Sequence, residues 1–133
     1  MEAITMRTRL ITTAAVIVGL LIVSVSLFAH HGNAEFDIGK RVTVKGIITR
    51  WSWSNPHCFL SFEVKGDTGA VTQWVVETQP PRSVTAGGFS QKTFKPGDEV
   101  IVTLEPVKNG RPLGRMLEVV LPNGKKLVTG HLD

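Results

Sequence analysis

Tyrosine is absent from the 133 residues, cysteine occurs once, and aromatic residues together make up only 7%. Each scarcity excludes something. Without tyrosine a common general acid is missing. A single cysteine, Cys58, can form neither an intramolecular disulfide nor a thiolate zinc cluster, and reads as a small buried hydrophobe. Charged residues account for 20%, and no run of like charge exceeds two residues, as at Lys125-Lys126. That is too dilute for a surface that tracks phosphates, so nucleic acid is excluded as a partner. The signatures G-x-S-x-G, G-x-G-x-x-G, H-E-x-x-H and C-x-x-C are all missing, as is a phosphate-binding loop.

One long apolar run is present, and it lies at the start. Between Leu10 and Ala29, 15 of 20 residues are apolar and none is charged, with Arg7 and Arg9 ahead of them. This order predicts a signal helix within residues 1–29 and export to the periplasm or beyond. Two cleavage points are readable. Ala29 has Leu27 at the −3 position, whereas Ala34 has the smaller Gly32 there. A third outcome is an uncleaved run, which is long enough to anchor the chain in the inner membrane. Without residues 1–29 the formal charge of +4 falls to +3, since two basic residues and one acid are lost.

Beyond a short leader, residues 30–40, the chain turns to a period of two. Val42, Val44, Gly46 and Ile48 alternate with Thr43, Lys45, Ile47 and Thr49, and Gly46 is expected to mark a bulge or bend. Asn55-Pro56 ends that strand. A second strand spans residues 57–65, with Leu60, Phe62 and Val64 on one face. A third spans 71–78, with Thr72, Trp74 and Val76 on one face. After Pro80-Pro81, residues 82–86 offer one or two helical turns built from poor helix formers. Strands follow over 99–107 and 115–121, and Asn123-Gly124 turns the chain into Lys126-Leu127-Val128. Five strands with a short irregular helical insert between the third and fourth predict an all-β, OB-like barrel over residues 41–133. A two-sheet sandwich reads the same way.

Pairing the second and third strands with their apolar residues on the core side places His57 and Glu77 together on the other face. Such a pair is a candidate for ligand binding or acid/base work, or an ordinary cross-strand polar contact. Trp51, Trp53 and Asn55 lead into His57. The two indoles are candidates for stacking a ligand, or for capping the core. If cleavage follows Ala29, the mature chain begins with His30, whose α-amine and imidazole chelate one metal ion. His31 or His57 would supply a third nitrogen, with Glu77 or Met116 in axial or supporting roles. Nitrogen donors in a planar set favour Cu(II). His131 reads as a residue of a solvated tail.

Several segments resemble an uncharacterised family of small exported bacterial proteins defined only as a domain of unknown function. They are His30-His31 with Ala34-Glu35-Phe36-Asp37, Val42-Thr43-Val44-Lys45-Gly46, Trp53-Ser54-Asn55-Pro56-His57, Trp74-Val75-Val76-Glu77, Pro96-Gly97-Asp98-Glu99-Val100 and Leu121-Pro122-Asn123-Gly124-Lys125. The resemblance implies cleavage after Ala29 and a shared role for His57 and Glu77, and it implies no activity. The chain departs from the pattern at Gly32, where the family usually has serine, and after Pro80-Pro81, where helix formers are missing.

Two functions lead from this reading. One is an exported copper-binding protein using His30, His31 and His57. The other is a periplasmic module that holds a small molecule, glycan or protein partner with Trp51, Trp53, Asn55, His57 and Glu77. An enzyme built on His57 and Glu77 ranks below both, because nothing supplies a nucleophile. Intact-mass measurement of the exported protein separates the two: a processed chain beginning at His30 keeps the copper reading, and one beginning at Glu35 leaves the binding module. Full-length protein in the cytosol would overturn the export reading.

Overall fold

The computed structural model describes residues 35–130. The expected signal helix, His30, His31 and His131 lie outside the described residues. The strands are β1 (Val42–Ser52), β2 (Cys58–Lys65), β3 (Val71–Thr78), β4 (Glu99–Pro106), β5 (Leu113–Val120) and β6 (Lys126–Val128). Between β3 and β4 stand a one-turn helix, α1 (Pro81–Val84), and a 3-10 turn, Thr85–Gly87. Pro81 sits in the first turn, where its missing N–H costs no bond. Gly88 ends the segment in the left-handed conformation at φ 89°.

Antiparallel pairing joins β3 to β2, β2 to β1, β1 to β4 and β4 to β5. The ring closes because β3 also pairs with β5, in parallel, through Val75–Leu113, Val76–Gly114 and Glu77–Arg115. Closure in the order 1-2-3-5-4-1 makes a five-stranded barrel of OB type rather than a sandwich. The sixth strand adds a short hairpin to the far half of β5, from Glu118 to Val120.

Alternation decides which side chains fill the barrel. Ile48, Leu60, Phe62, Val76, Val100, Val102, Leu104, Met116 and Val119 are all buried. Val84, Phe89 and Phe94 join this core from the insert, beside Leu127 of β6. Leu60 opposes Val76 and Phe62 opposes Trp74, as the sequence pattern requires. Val64 and Trp74, expected in the core, are only half-buried against it. Val64 pairs with exposed Thr72 toward the Gly66–Gly69 turn, where the hairpin outruns the barrel wall.

Gly46 has a different role from the expected bulge. The register shift in β1 falls between Ile48 and Arg50 instead. A Cβ at Gly46 would lie 2.6 Å from the Glu63 carbonyl oxygen and 2.7 Å from the Phe62 ring. The glycine therefore permits close approach of β2, and with it the seating of Phe62.

Residues 35–40 are tied to the barrel rather than trailing from it. The Lys108 N–H donates to the Glu35 carbonyl at 2.9 Å, and the Asp37 N–H donates to the Pro106 carbonyl at 2.8 Å. The Gly39 N–H donates to Glu105 Oε1 at 3.0 Å. Glu105 also accepts from Arg115 at 2.6 Å, in a pair whose side chains are both 5% exposed. The Arg115 guanidinium lies 5.4 Å from the centre of the Phe36 ring. One buried ion pair thus joins β4, β5 and the leader.

Two expectations follow. Phe62→Ala empties one of the largest core positions and should cost roughly 3–5 kcal/mol in urea unfolding. Glu105→Ala removes the carboxylate 2.6 Å from buried Arg115 and should cost about 3–5 kcal/mol. The same change frees the Gly39 N–H, so trypsin should cut faster at Lys40. Unchanged cleavage would mean that other bonds hold the leader.

Candidate functional site

The turn between β1 and β2 delivers His57 to the outer face. Ser54 Oγ donates to the His57 carbonyl at 3.0 Å, closing the turn, and the Asn55-Pro56 peptide bond is cis. Cys58, next along, points inward, fully buried, with its thiol 3.8 Å from the Ser54 carbonyl. By alternation the side chains of His57 and Phe59 face outward, and their rings stack at 6.4 Å with 22° between planes. Phe59 is the direct cross-strand neighbour of Glu77.

His57 and Glu77 therefore meet on one face, as the register predicts. His57 Nδ1 lies 3.5 Å from Glu77 Oε2, and the two side chains are 36% and 24% exposed. That separation is ion-pair distance but too long for a well-formed N–H···O bond. Nδ1 is sealed from solvent and has no hydrogen-bond partner among the described residues. The exposure of the ring accordingly belongs to its Nε2 side.

The other expected binding residues go elsewhere. Trp51 pairs with inward-facing Leu60, and both Trp51 and Trp53 pack against the core. Trp51 meets Phe94 edge-on at 4.8 Å and donates its indole N–H to the Ser90 carbonyl at 3.1 Å. It cements the insert onto one end of the barrel, and its polar handle is already used. Trp53 leans on Trp51 at 5.9 Å. Asn55 is exposed at the turn. Met116, considered as an axial donor, is 1% exposed within the core, so it does not reach the His57 face.

Beside Glu77 the parallel seam leaves a shallow cleft of about 130 Å³. Its walls include Phe36, Phe59, Val75 and Leu113, and its two ionisable residues are Glu35 and Glu77. The sequence pattern did not reveal this cleft. Phe36, Val107 and Leu113 lie outside the β2–β3 hairpin from which the face was predicted, and only barrel closure assembles them. An apolar residue flanked by acids, as in Glu35-Phe36-Asp37, was the single local signal.

Among the described residues no three histidine, cysteine, aspartate or glutamate side chains stand close enough to hold a metal ion by themselves. His57 with Glu77 offers one nitrogen ligand and one supporting carboxylate. No curated protein matches the chain. Residues 16–116 match the family model DUF6152, a family of unknown function, and the chain belongs to that family.

Proposed function

We propose that the protein is an exported, non-catalytic metal-binding protein, and that His57 is the barrel's ligand in a Cu(II) site. The observation that carries this reading is the orientation of His57. One nitrogen is open to solvent, while the other is buried beside the Glu77 carboxylate. Metal-ligating histidines use this division of labour: the free nitrogen binds, and a carboxylate behind the ring holds the tautomer and raises its basicity. On coordination through Nε2, the Nδ1 proton has Glu77 as its acceptor.

The remaining ligands are the α-amine and imidazole of His30, exposed by cleavage after Ala29, with His31 as the alternative imidazole. Glu35 lines the same cleft as Glu77. Four residues lie between it and His30, a tether of up to about 17 Å. Amine and imidazole nitrogens prefer copper to zinc at the top of the divalent affinity order. Three nitrogens and no thiolate suit a site that holds Cu(II) in a planar set.

Titration of protein beginning at His30, followed by paramagnetic resonance, tests this. One Cu(II) should bind with a nitrogen-rich spectrum, and binding should weaken in acid because amine and imidazole must lose protons. Glu77→Gln should lower affinity by about 10- to 100-fold, and His57→Ala, which removes the ligand itself, by more. A residue added ahead of His30 turns the amine into an amide and should weaken the site sharply. Identical affinity and spectra for the native and extended chains would show that no N-terminal chelate exists.

A further inference from the structure

We propose that Asn109, in the loop between β4 and β5, is a self-modification site, where water replaces the side-chain amide and leaves aspartate or isoaspartate. The inference uses neither the His57 site nor the copper reading. Asparagine followed by glycine occurs twice in the sequence, at Asn109-Gly110 and Asn123-Gly124, and all four residues are exposed. Both are turns of one design. Each glycine has a positive φ, 77° at Gly110 and 83° at Gly124, and each directs its N–H at the carbonyl three residues earlier. Each asparagine Oδ1 accepts from the N–H two residues on, that of Arg111 at 3.1 Å and that of Lys125 at 2.9 Å. That bond folds the side-chain amide back over the glycine nitrogen. It also sets a donor at the oxygen where charge develops when that nitrogen attacks.

The reaction consumes only water. The Gly110 nitrogen gives its proton to solvent base and bonds to Asn109 Cγ, and the carbonyl electron pair moves onto Oδ1, which the Arg111 N–H meets. Collapse breaks the Cγ–Nδ2 bond, and that nitrogen takes a proton from water and leaves as ammonia. Water then opens the five-membered imide at either carbonyl, giving aspartate or, with one more backbone carbon, isoaspartate. What separates the two turns is the hold on the attacking nitrogen. The Gly124 N–H donates to the Leu121 carbonyl at 2.8 Å, and the Leu121 N–H closes the turn on the Lys125 carbonyl at 2.9 Å. Pro122 fixes a torsion between them. The Gly110 N–H stands 3.4 Å from the Val107 carbonyl, beyond the usual range, and its wider loop closes from Val107 to Leu113. A hydrogen-bonded N–H resists losing its proton, so Asn123 is the protected copy and Asn109 the reactive one. The loop that changes also holds the leader, because the Lys108 N–H donates to the Glu35 carbonyl at 2.9 Å.

The test incubates the purified, folded protein in mildly alkaline buffer and follows amide-to-acid conversion at both sites by peptide mapping and mass spectrometry. Asn109 should convert roughly fivefold faster than Asn123, the rate equivalent of one backbone hydrogen bond. Ammonia should appear in step, and an isoaspartyl methyltransferase should label the product at position 109. Asn109→Gln should remove most of the ammonia release and leave the rate at Asn123 unchanged. In urea, where neither turn persists, the two asparagines should convert at similar rates. Equal rates in the folded protein, faster conversion at Asn123, or conversion at neither site overturns the proposal. A preference for Asn109 that survives in urea also overturns it, because flanking sequence and not the turn would then be the cause.

Discussion

An open sheet carries two unpaired edges, and the parallel contact of β3 with β5 joins them into a ring. Three residue pairs make that seam, from Val75–Leu113 to Glu77–Arg115. It depends on Gly114, where a Cβ would stand 2.5 Å from the Leu104 side chain and 2.6 Å from the Glu105 carbonyl oxygen. With a glycine there, β5 lies close enough to β4 to turn its first half toward β3. Its second half is then free of β3, and β6 pairs there instead. One strand thus serves three neighbours because its ends diverge.

The seam also organises the polar chemistry. Glu77 and Arg115 are register partners across it, yet they have different roles. Arg115 turns to Glu105 in a buried pair, and Glu105 in turn holds the leader through Gly39. Burying an ion pair is costly in desolvation, and the extra backbone and ring partners offset that cost. Glu77 stays at the surface beside His57. The structural carboxylate and the candidate functional one are therefore separated by burial, with the first fully enclosed and the second partly hydrated.

The two ends of the β1–β2 turn show the same separation between scaffold and surface. Trp51 and Trp53 enter it facing inward, where Phe94 and the Ser90 carbonyl occupy Trp51. His57 leaves it facing outward. Residues four and six positions apart thus serve opposite sides of the wall, because the turn through Ser54, Asn55 and Pro56 lies between them and resets the alternation, which by itself would keep such even spacings on one side. Grouping the indoles with His57 as one binding surface followed from their nearness in sequence, which a turn does not preserve in space.

The period of two was enough to place Leu60, Phe62, Val76, Val102 and Leu104 in the core, and it put His57 beside Glu77. These are local consequences, since one hairpin with one buried face admits a single register. The barrel order was also legible, because five short strands with an insert after the third have few ways to close. What tertiary structure alone decided involves contacts distant in sequence. The leader's attachment through Glu105, the reason for Gly46 and the cleft between Phe36 and Leu113 join segments up to 77 residues apart. No periodicity records such contacts. They arise when the ring closes and bring a buried ion pair, a close backbone approach and a gap at the seam into existence together.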